Sequence, residues 1–313
     1  RTSPGVRRAG TARRMANGER ESMDEAAYVR ARTLEEALEA LARGPHVILA
    51  GGTDHFPARV GPRAPEAILD IGALDGLRGI RETDDAFELG ATTTWTDVIE
   101  ADLPRWFDAL KQAAREVGGV QIQNRGTLAG NLCNASPAAD GTPCLLAADA
   151  EIVLCSARGE RRLPLSDFMT GYRTTARTPD ELVTAIRLPK PEHAARSRFL
   201  KLGARHYLVI SIAMVAVSLE ADAEGRVAAA RVAVGACSAV AQRLPALERD
   251  LVGAPLAPGL GGRVTPAHLA GLAPIDDVRA TATYRREAAG ILIARALEDL
   301  AREPDRRTAA SAA

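Results

Sequence analysis

The sequence predicts an α+β protein in two domains, the first of them split into two small subdomains. Three observations carry this. Between Thr33 and Asp54 a capping box, an apolar run and a Gly-Gly turn follow one another, the pattern of a compact βα unit. Short strand-like runs alternate with helical stretches from Leu77 to Leu188. After Pro189 and Pro191 the pattern changes to a hairpin of two apolar strands and then three helical segments.

At 313 residues the chain has room for two or three cores. Forty basic and forty acidic residues cancel, which argues against a general nucleic-acid or membrane-surface binder. No apolar run approaches the ~20 residues of a membrane span. The four cysteines (Cys133, Cys144, Cys155, Cys237) form no C-x-x-C pair and read as reduced thiols of a cytoplasmic protein. Only Lys111, Lys190 and Lys201 are lysines, so most arginines reflect a composition bias and the lysines stand out.

Residues 1–22 hold six arginines and no apolar run, which reads as a disordered tail ahead of a natural start at Met23. Thr33 to Glu36 caps a helix that Gly44 closes. The strand His46–Ala50 leads into Ala-Gly-Gly-Thr-Asp (50–54), and Ala67–Ile71 reads as another strand. Subdomain boundaries fall at about 23–78 and 79–192. Strands are expected near Leu77–Arg81 and Ala86–Leu89, a helix from Thr94, and another over Pro104–Val117. Val120–Gln123 alternates like a strand, and Asn124–Asp140 reads as a long loop. A short helix follows at Pro143–Ala148, with strands at Glu151–Ser156 and Glu181–Leu188. The second domain, 195–302, carries a hairpin of Leu208–Ala221 and Arg226–Cys237 about Gly225. Helices are expected at Ala241–Leu251, Pro266–Leu272 and Tyr284–Ala301, and 303–313 is a frayed tail.

Several chemistries lack their residues. G-x-x-x-x-G-K-[ST], G-x-G-x-x-G, H-E-x-x-H and G-x-S-x-G are absent, and the five histidines have no metal-ligand spacing. What remains is two glycine-bearing turns, 50–54 and the stretch Asn124–Asp140 (NRGTLAGNLCNASPAAD). Such turns let the backbone approach a ligand and offer amides to anionic oxygens. The amides of Gly51, Gly52, Thr53, Gly130 and Asn131, with the hydroxyls of Thr53 and Thr127, suit a pyrophosphate. We read the two turns as holding the pyrophosphate and ribityl part of one flavin. Asp54 and Asp140 would repel phosphate and suit ribose or ribityl hydroxyls, or else cap a turn or helix. Lys201, in the alternating Phe199–Gly203, is either an exposed strand lysine or a cofactor contact. Cys133 and Cys144 read as small core residues.

The chain resembles the FAD-binding medium subunit of molybdenum hydroxylases, of the xanthine dehydrogenase and carbon monoxide dehydrogenase type. AGGTD after a strand, NRGTLAGNLCNASPAADGTPCLLAADA, DELVTAIRLP and FLKLGAR carry the resemblance, which runs from about Glu25 to Leu300. It implies a two-subdomain PCMH-type FAD-binding module followed by a C-terminal α+β domain, and a noncovalent FAD. Ile48, Leu49, Ala50, Gly51, Gly52, Thr53 and Asp54 would wrap the pyrophosphate from one side. Thr127, Leu128, Ala129, Gly130 and Asn131, with Asp140, would hold it and the ribityl from the other. Leu182 and Lys201 match positions near the flavin ring, Leu182 being equally suited to a core. The cysteine-rich insertion that carries a [4Fe–4S] cluster in 4-hydroxybenzoyl-CoA reductase is missing, and residues 1–22 have no family counterpart.

The resemblance further implies an electron-transfer role without a catalytic acid or base. Molybdopterin on a large partner and [2Fe–2S] clusters on a small one would feed the FAD, in a dimer of heterotrimers. The alternative is a stand-alone FAD-dependent oxidase or dehydrogenase. Aromatic residues at 4% leave little for a substrate pocket of its own.

Overall fold

The structure, a computed structural model, describes residues 28–61 and 66–302. The expected tails 1–22 and 303–313 lie outside the described residues. Three sheets are stacked along the chain. The first is parallel, in the order β1 (Tyr28–Arg30), β3 (Ile68–Asp70), β2 (Val47–Leu49), with α1 (Leu34–Arg43) packed on it. Thr33 caps α1 by accepting from the Glu36 amide at 3.2 Å. Glu36 reaches one residue further back than expected, to the Arg32 amide at 2.8 Å. Ala37, Ala40 and Leu41, one helical face, are buried with Leu69, Ile71 and Leu74.

The second sheet is antiparallel and five-stranded: β4 (Ile80–Glu82), β5 (Ala86–Gly90), β10 (Leu182–Pro189), β6 (Glu151–Ser156) and β7 (Gly159–Pro164). Between β5 and β6 run α2 (Trp95–Glu100), α3 (Asp108–Glu116), α4 (Val120–Gln123), α5 (Leu128–Asn134) and α6 (Gly141–Leu146). Thr94 and Asp97 form a reciprocal capping box that starts α2. After β7 come α7 (Leu165–Phe168) and a small hairpin of β8 (Met169–Gly171) and β9 (Thr174–Thr175).

The third sheet is antiparallel: β11 (Ala194–Leu202), β12 (Ala213–Ala221), β13 (Val227–Gly235) and β14 (Gln242–Arg243), covered by α8 (Pro245–Leu251) and α9 (Ala282–Arg302). Residues 213–220 of β12 are all buried. Met214 and Ala216 enter the core around Trp95, Phe107, Leu132 and Leu145, while Val215, Val217 and Leu219 pack on α8 and α9. One strand therefore serves two cores through its two-residue period.

Several expectations are corrected. Val120–Gln123 is a helical turn, not a strand: the amides of Gln123 and Asn124 donate to Gly119 and Val120 at 3.0 and 2.9 Å. Its alternation also faces the wrong way, with Val120 exposed and Gln123 buried, Nε2 on the Arg115 carbonyl at 3.1 Å. The stretch Asn124–Asp140 is not all loop, because α5 lies inside it and buries Leu128, Ala129 and Leu132. The strand expected from Leu77 starts at Ile80 after a 3-10 turn, and that expected from Leu208 starts at Ala213. The helix expected from Ala241 starts at Pro245, because Gln242 and Arg243 pair with β13.

Candidate functional site

A cavity of about 790 Å³ opens between the first sheet and the helices of the second, within the size range of cofactor pockets. The turn after β2 forms one wall. There Gly52 has φ +71°, a conformation that favours glycine, and Gly51 lies so close to the Arg125 carbonyl that a Cβ would sit 1.8 Å from its oxygen. These glycines bring the turn against the segment entering α5. The Gly51, Gly52 and Thr53 amides donate to no protein acceptor among the described residues. Asp54 accepts from Asn134 Nδ2 at 2.9 Å, tying the turn to α5.

The opposite wall is Thr127, Ala129, Gly130 and Asn131. The sequence reading offers the amides of Gly130 and Asn131 to a phosphate, yet both are spent locally. Gly130 donates to Thr127 Oγ1 at 3.1 Å and Asn131 to the Thr127 carbonyl at 3.0 Å, capping α5. Two buried atoms without a partner, Asn131 Oδ1 and His55 Nε2, belong to residues lining the cavity. Leu182 also lines it, as a buried member of the first core. Cys133, expected as a small core residue, is instead exposed where it lines the cavity; desolvation by the surrounding protein atoms still pushes its thiol up to about 11, against an opposing pull from Arg177.

Ile48 to Asp54, Thr127, Ala129, Gly130, Asn131 and Leu182 thus meet at one cavity. Leu128, Asp140 and Lys201 do not line it. Leu128 is fully buried in the central core. Asp140 and Lys201 spend their charges on each other: Lys201 Nζ is 2.7 Å from Asp140 Oδ2, both side chains are 8% exposed, and Ser211 donates to Asp140 Oδ1 at 2.8 Å. Burial pushes the Asp140 carboxyl up, with Lys201 and Ser211 opposing. Lys201 instead borders a second cleft of about 620 Å³ between α3 and β11.

Sequence reasoning missed the third wall, Arg173, Thr175 and Arg177 of the β8–β9 hairpin. In a chain whose cations are nearly all arginine, these two carried no distinguishing signal. Free amides, unpartnered polar side chains, two cations and apolar surface from Ile48 and Leu182 form a donor set that fits a diphosphate-bearing cofactor. Among the described residues no group of three or more His, Cys, Asp or Glu is placed to hold a metal, and no helix is long and apolar enough to cross a membrane.

Fold and cavity define a nucleotide-cofactor protein of the α+β class. Comparison with known families narrows this. Residues 21–191 match the FAD binding domain in molybdopterin dehydrogenase, and 198–300 match the CO dehydrogenase flavoprotein C-terminal domain. The nicotinate dehydrogenase FAD-subunit of Eubacterium barkeri is 35% identical, over 72% of this chain and 79% of that protein. The xanthine dehydrogenase FAD-binding subunit of Escherichia coli is 32% identical, over 84% and 91%. The structure of reconstituted CO dehydrogenase from Oligotropha carboxidovorans contains a chain that superposes with a TM-score of 0.82 at 28% identity, covering 88% of this chain and 97% of that one. The chain belongs to the family of FAD-binding subunits of molybdopterin dehydrogenases. It is an oxidoreductase subunit whose cofactor is FAD.

Proposed function

We propose that this chain is the electron-transfer subunit of a molybdenum hydroxylase complex, taking electrons from [2Fe–2S] clusters of a small partner and passing them to an external acceptor. A large partner carrying molybdopterin would oxidise the substrate, in a dimer of heterotrimers. The relatives' own names, FAD-subunit and FAD-binding subunit, support a division of labour among chains. We place the complex in the cytoplasm, as its four free cysteines suggest. We further propose domains at 23–192, with subdomains of about 23–78 and 79–192, and at 195–302.

The observation that carries the reading is the meeting of the two turns at one cavity, with Gly51 pressed against Arg125. Bound FAD supplies the exchange between one- and two-electron steps. The chain's residues bind and shield. The Gly51, Gly52 and Thr53 amides would hold the diphosphate, Asp54 and Asn131 would take hydroxyl or amide contacts, and Ile48 and Leu182 would exclude water. We assign Asp140 and Lys201 a positioning role, fixing the start of α6 against β11 behind the α5 wall. Neither is required to move a proton to substrate.

The test is to purify the chain alone and with its two partners. Stoichiometric, acid-releasable flavin is expected in both preparations, and substrate should bleach it only when all three subunits are present. A yellow monomer that oxidises a small alcohol or amine unaided would overturn the reading in favour of a stand-alone FAD-dependent oxidase or dehydrogenase.

A further inference from the structure

We propose that Arg173 is a cationic clamp on the cofactor's diphosphate, a specificity residue that selects FAD over a flavin with a single phosphate. The inference rests on the FAD reading above. The turn after β2 offers only amide dipoles to a group carrying two negative charges. Two cations face the same cavity, Arg173 and Arg177. Arg177 makes its bonds within its own turn, Nη1 donating to the carbonyls of Thr178 and Glu181 at 3.1 and 2.8 Å, whereas Arg173 reaches across to α5. Arg173 has no carboxylate partner among the described residues. Its Nη1 meets the Asn134 side-chain oxygen closely and the Asn134 carbonyl at 3.4 Å, which leaves most of the guanidinium's donors free.

Its backbone is held in place. Arg173 has φ +57° and donates its amide at 3.1 Å to the carbonyl of Ala135, which itself has φ +47°. Two non-glycine residues in the left-handed region, bonded to each other at the mouth of one cavity, are a costly arrangement that only surrounding structure sustains. That structure is present. Ala176 donates to the Phe168 carbonyl at 2.8 Å, and Arg161 Nη2 donates to the Ala176 carbonyl at 2.9 Å, so the hairpin is pinned at its base. Asn134 stands between Arg173 and Asp54 and bonds to both, so Asp54 does not neutralise the guanidinium directly. An unneutralised guanidinium facing the same cavity as the free amides of the turn after β2 suits phosphate oxygens.

The experiment measures binding of FAD, FMN and ADP to the deflavinated full chain, by quenching of flavin fluorescence and by competition. Arg173→Gln should weaken FAD and ADP by about tenfold to a hundredfold, and FMN much less. Added salt should weaken FAD binding to the wild type more steeply than to the variant. Arg173→Lys, which keeps the charge and loses the fork, should recover part of the affinity. The thermal midpoint of the deflavinated variant should match wild type, because Arg173 is exposed. Unchanged FAD affinity in Arg173→Gln overturns the clamp. So does equal weakening of all three ligands with a lowered midpoint, which would mark a structural role. If the wild-type chain binds no flavin at all, the FAD reading falls first and the clamp with it.

Discussion

The central helices and sheet meet the rest of the chain at two interfaces built on opposite principles. Towards the third sheet the contact is an interlocked apolar core, bordered by the cleft between α3 and β11. Phe199, Met214, Ala216 and Ala233 share a core with Leu128, Leu132 and Leu145, and Ser197 bonds the Ala109 amide and the Trp106 carbonyl at 2.9 and 2.8 Å. Towards the first sheet the contact is made by backbone and polar groups around a cavity. Gly51 touches Arg125, Asn134 reaches Asp54, and Arg78 forks onto Asp97 at 3.0 and 2.9 Å. Among the described residues only Leu182 carries an apolar core from the second sheet to the first. The difference teaches that side chains close the interface with the third sheet, whereas the interface with the first sheet surrounds the cavity.

The largest expected effect on cofactor binding comes from breaking the cavity side. Gly51→Val would drive a side chain into the Arg125 carbonyl, a backbone atom that cannot swing aside. Overpacking costs about 1–3 kcal/mol, occasionally more, so flavin affinity should fall by about fivefold to a hundredfold while the third sheet stays folded. The ratio of flavin to protein absorbance after purification, with far-ultraviolet circular dichroism, checks both halves. Flavin retained at the wild-type ratio would remove the idea that this close approach builds the site.

Next comes the interlocked side. Lys201→Ala leaves Asp140 buried without its cation, at a cost of about 3–5 kcal/mol. Thermal unfolding should show the loss with and without FAD alike. Replacing both partners by apolar residues, Lys201→Met with Asp140→Leu, should recover most of it. A loss seen only in the presence of FAD would instead place the pair in direct contact with the cofactor.

Third, FAD at a hundred times its dissociation constant should stabilise the chain by about 2.7 kcal/mol. Hydrogen exchange should localise the protection to residues 28–78 and the β8–β9 hairpin, leaving β12 and β13 unchanged. Protection spread evenly over all three sheets would erase the distinction between the interfaces.

The same contrast explains what was legible in the sequence. Elements that follow from side-chain periodicity, such as β6, β10 and α9, read clearly, because burying apolar side chains at the right spacing is their main cause. The turn after β2 was legible as glycines following a strand. The short elements were not. In α4 the tertiary context exposes Val120 and buries Gln123, the reverse of what local pattern suggests. In α5, Gly130 and two asparagines lower helix propensity, and the helix stands on Thr127 capping and on Leu128 and Leu132 packing. Arg173 was invisible for another reason: its role depends on a left-handed backbone and a partner 39 residues away, neither of which leaves a mark on local sequence.

The smallest predicted effect concerns pH, and it separates the interfaces by the sign of a shift. Glu181 supports the cavity's hairpin wall. Arg161 forks onto it at 2.5 and 2.9 Å and the Thr178 amide adds a bond at 2.8 Å, which together hold its carboxyl down to about 2. A carboxyl depressed on folding contributes stability that is present above its ordinary value near 4.5 and lost as pH falls through about 2. The contribution should be about 1–2 kcal/mol, less than the full shift would give, because Arg161 is 45% exposed and screened by water. Asp140, raised by burial, has the opposite sign, so acid should not weaken the interlocked interface through it. Wild type and Glu181→Gln should therefore differ in thermal midpoint at pH 6 and converge between pH 4.5 and 2. Acid release of flavin from the wild type should follow that window, because Glu181 adjoins Leu182 and its carbonyl holds Arg177. If the two proteins release flavin along identical pH curves, the hairpin wall owes nothing to this carboxylate, and the cavity side is held by its other contacts, such as Asn134 on Asp54 and Gly51 against Arg125.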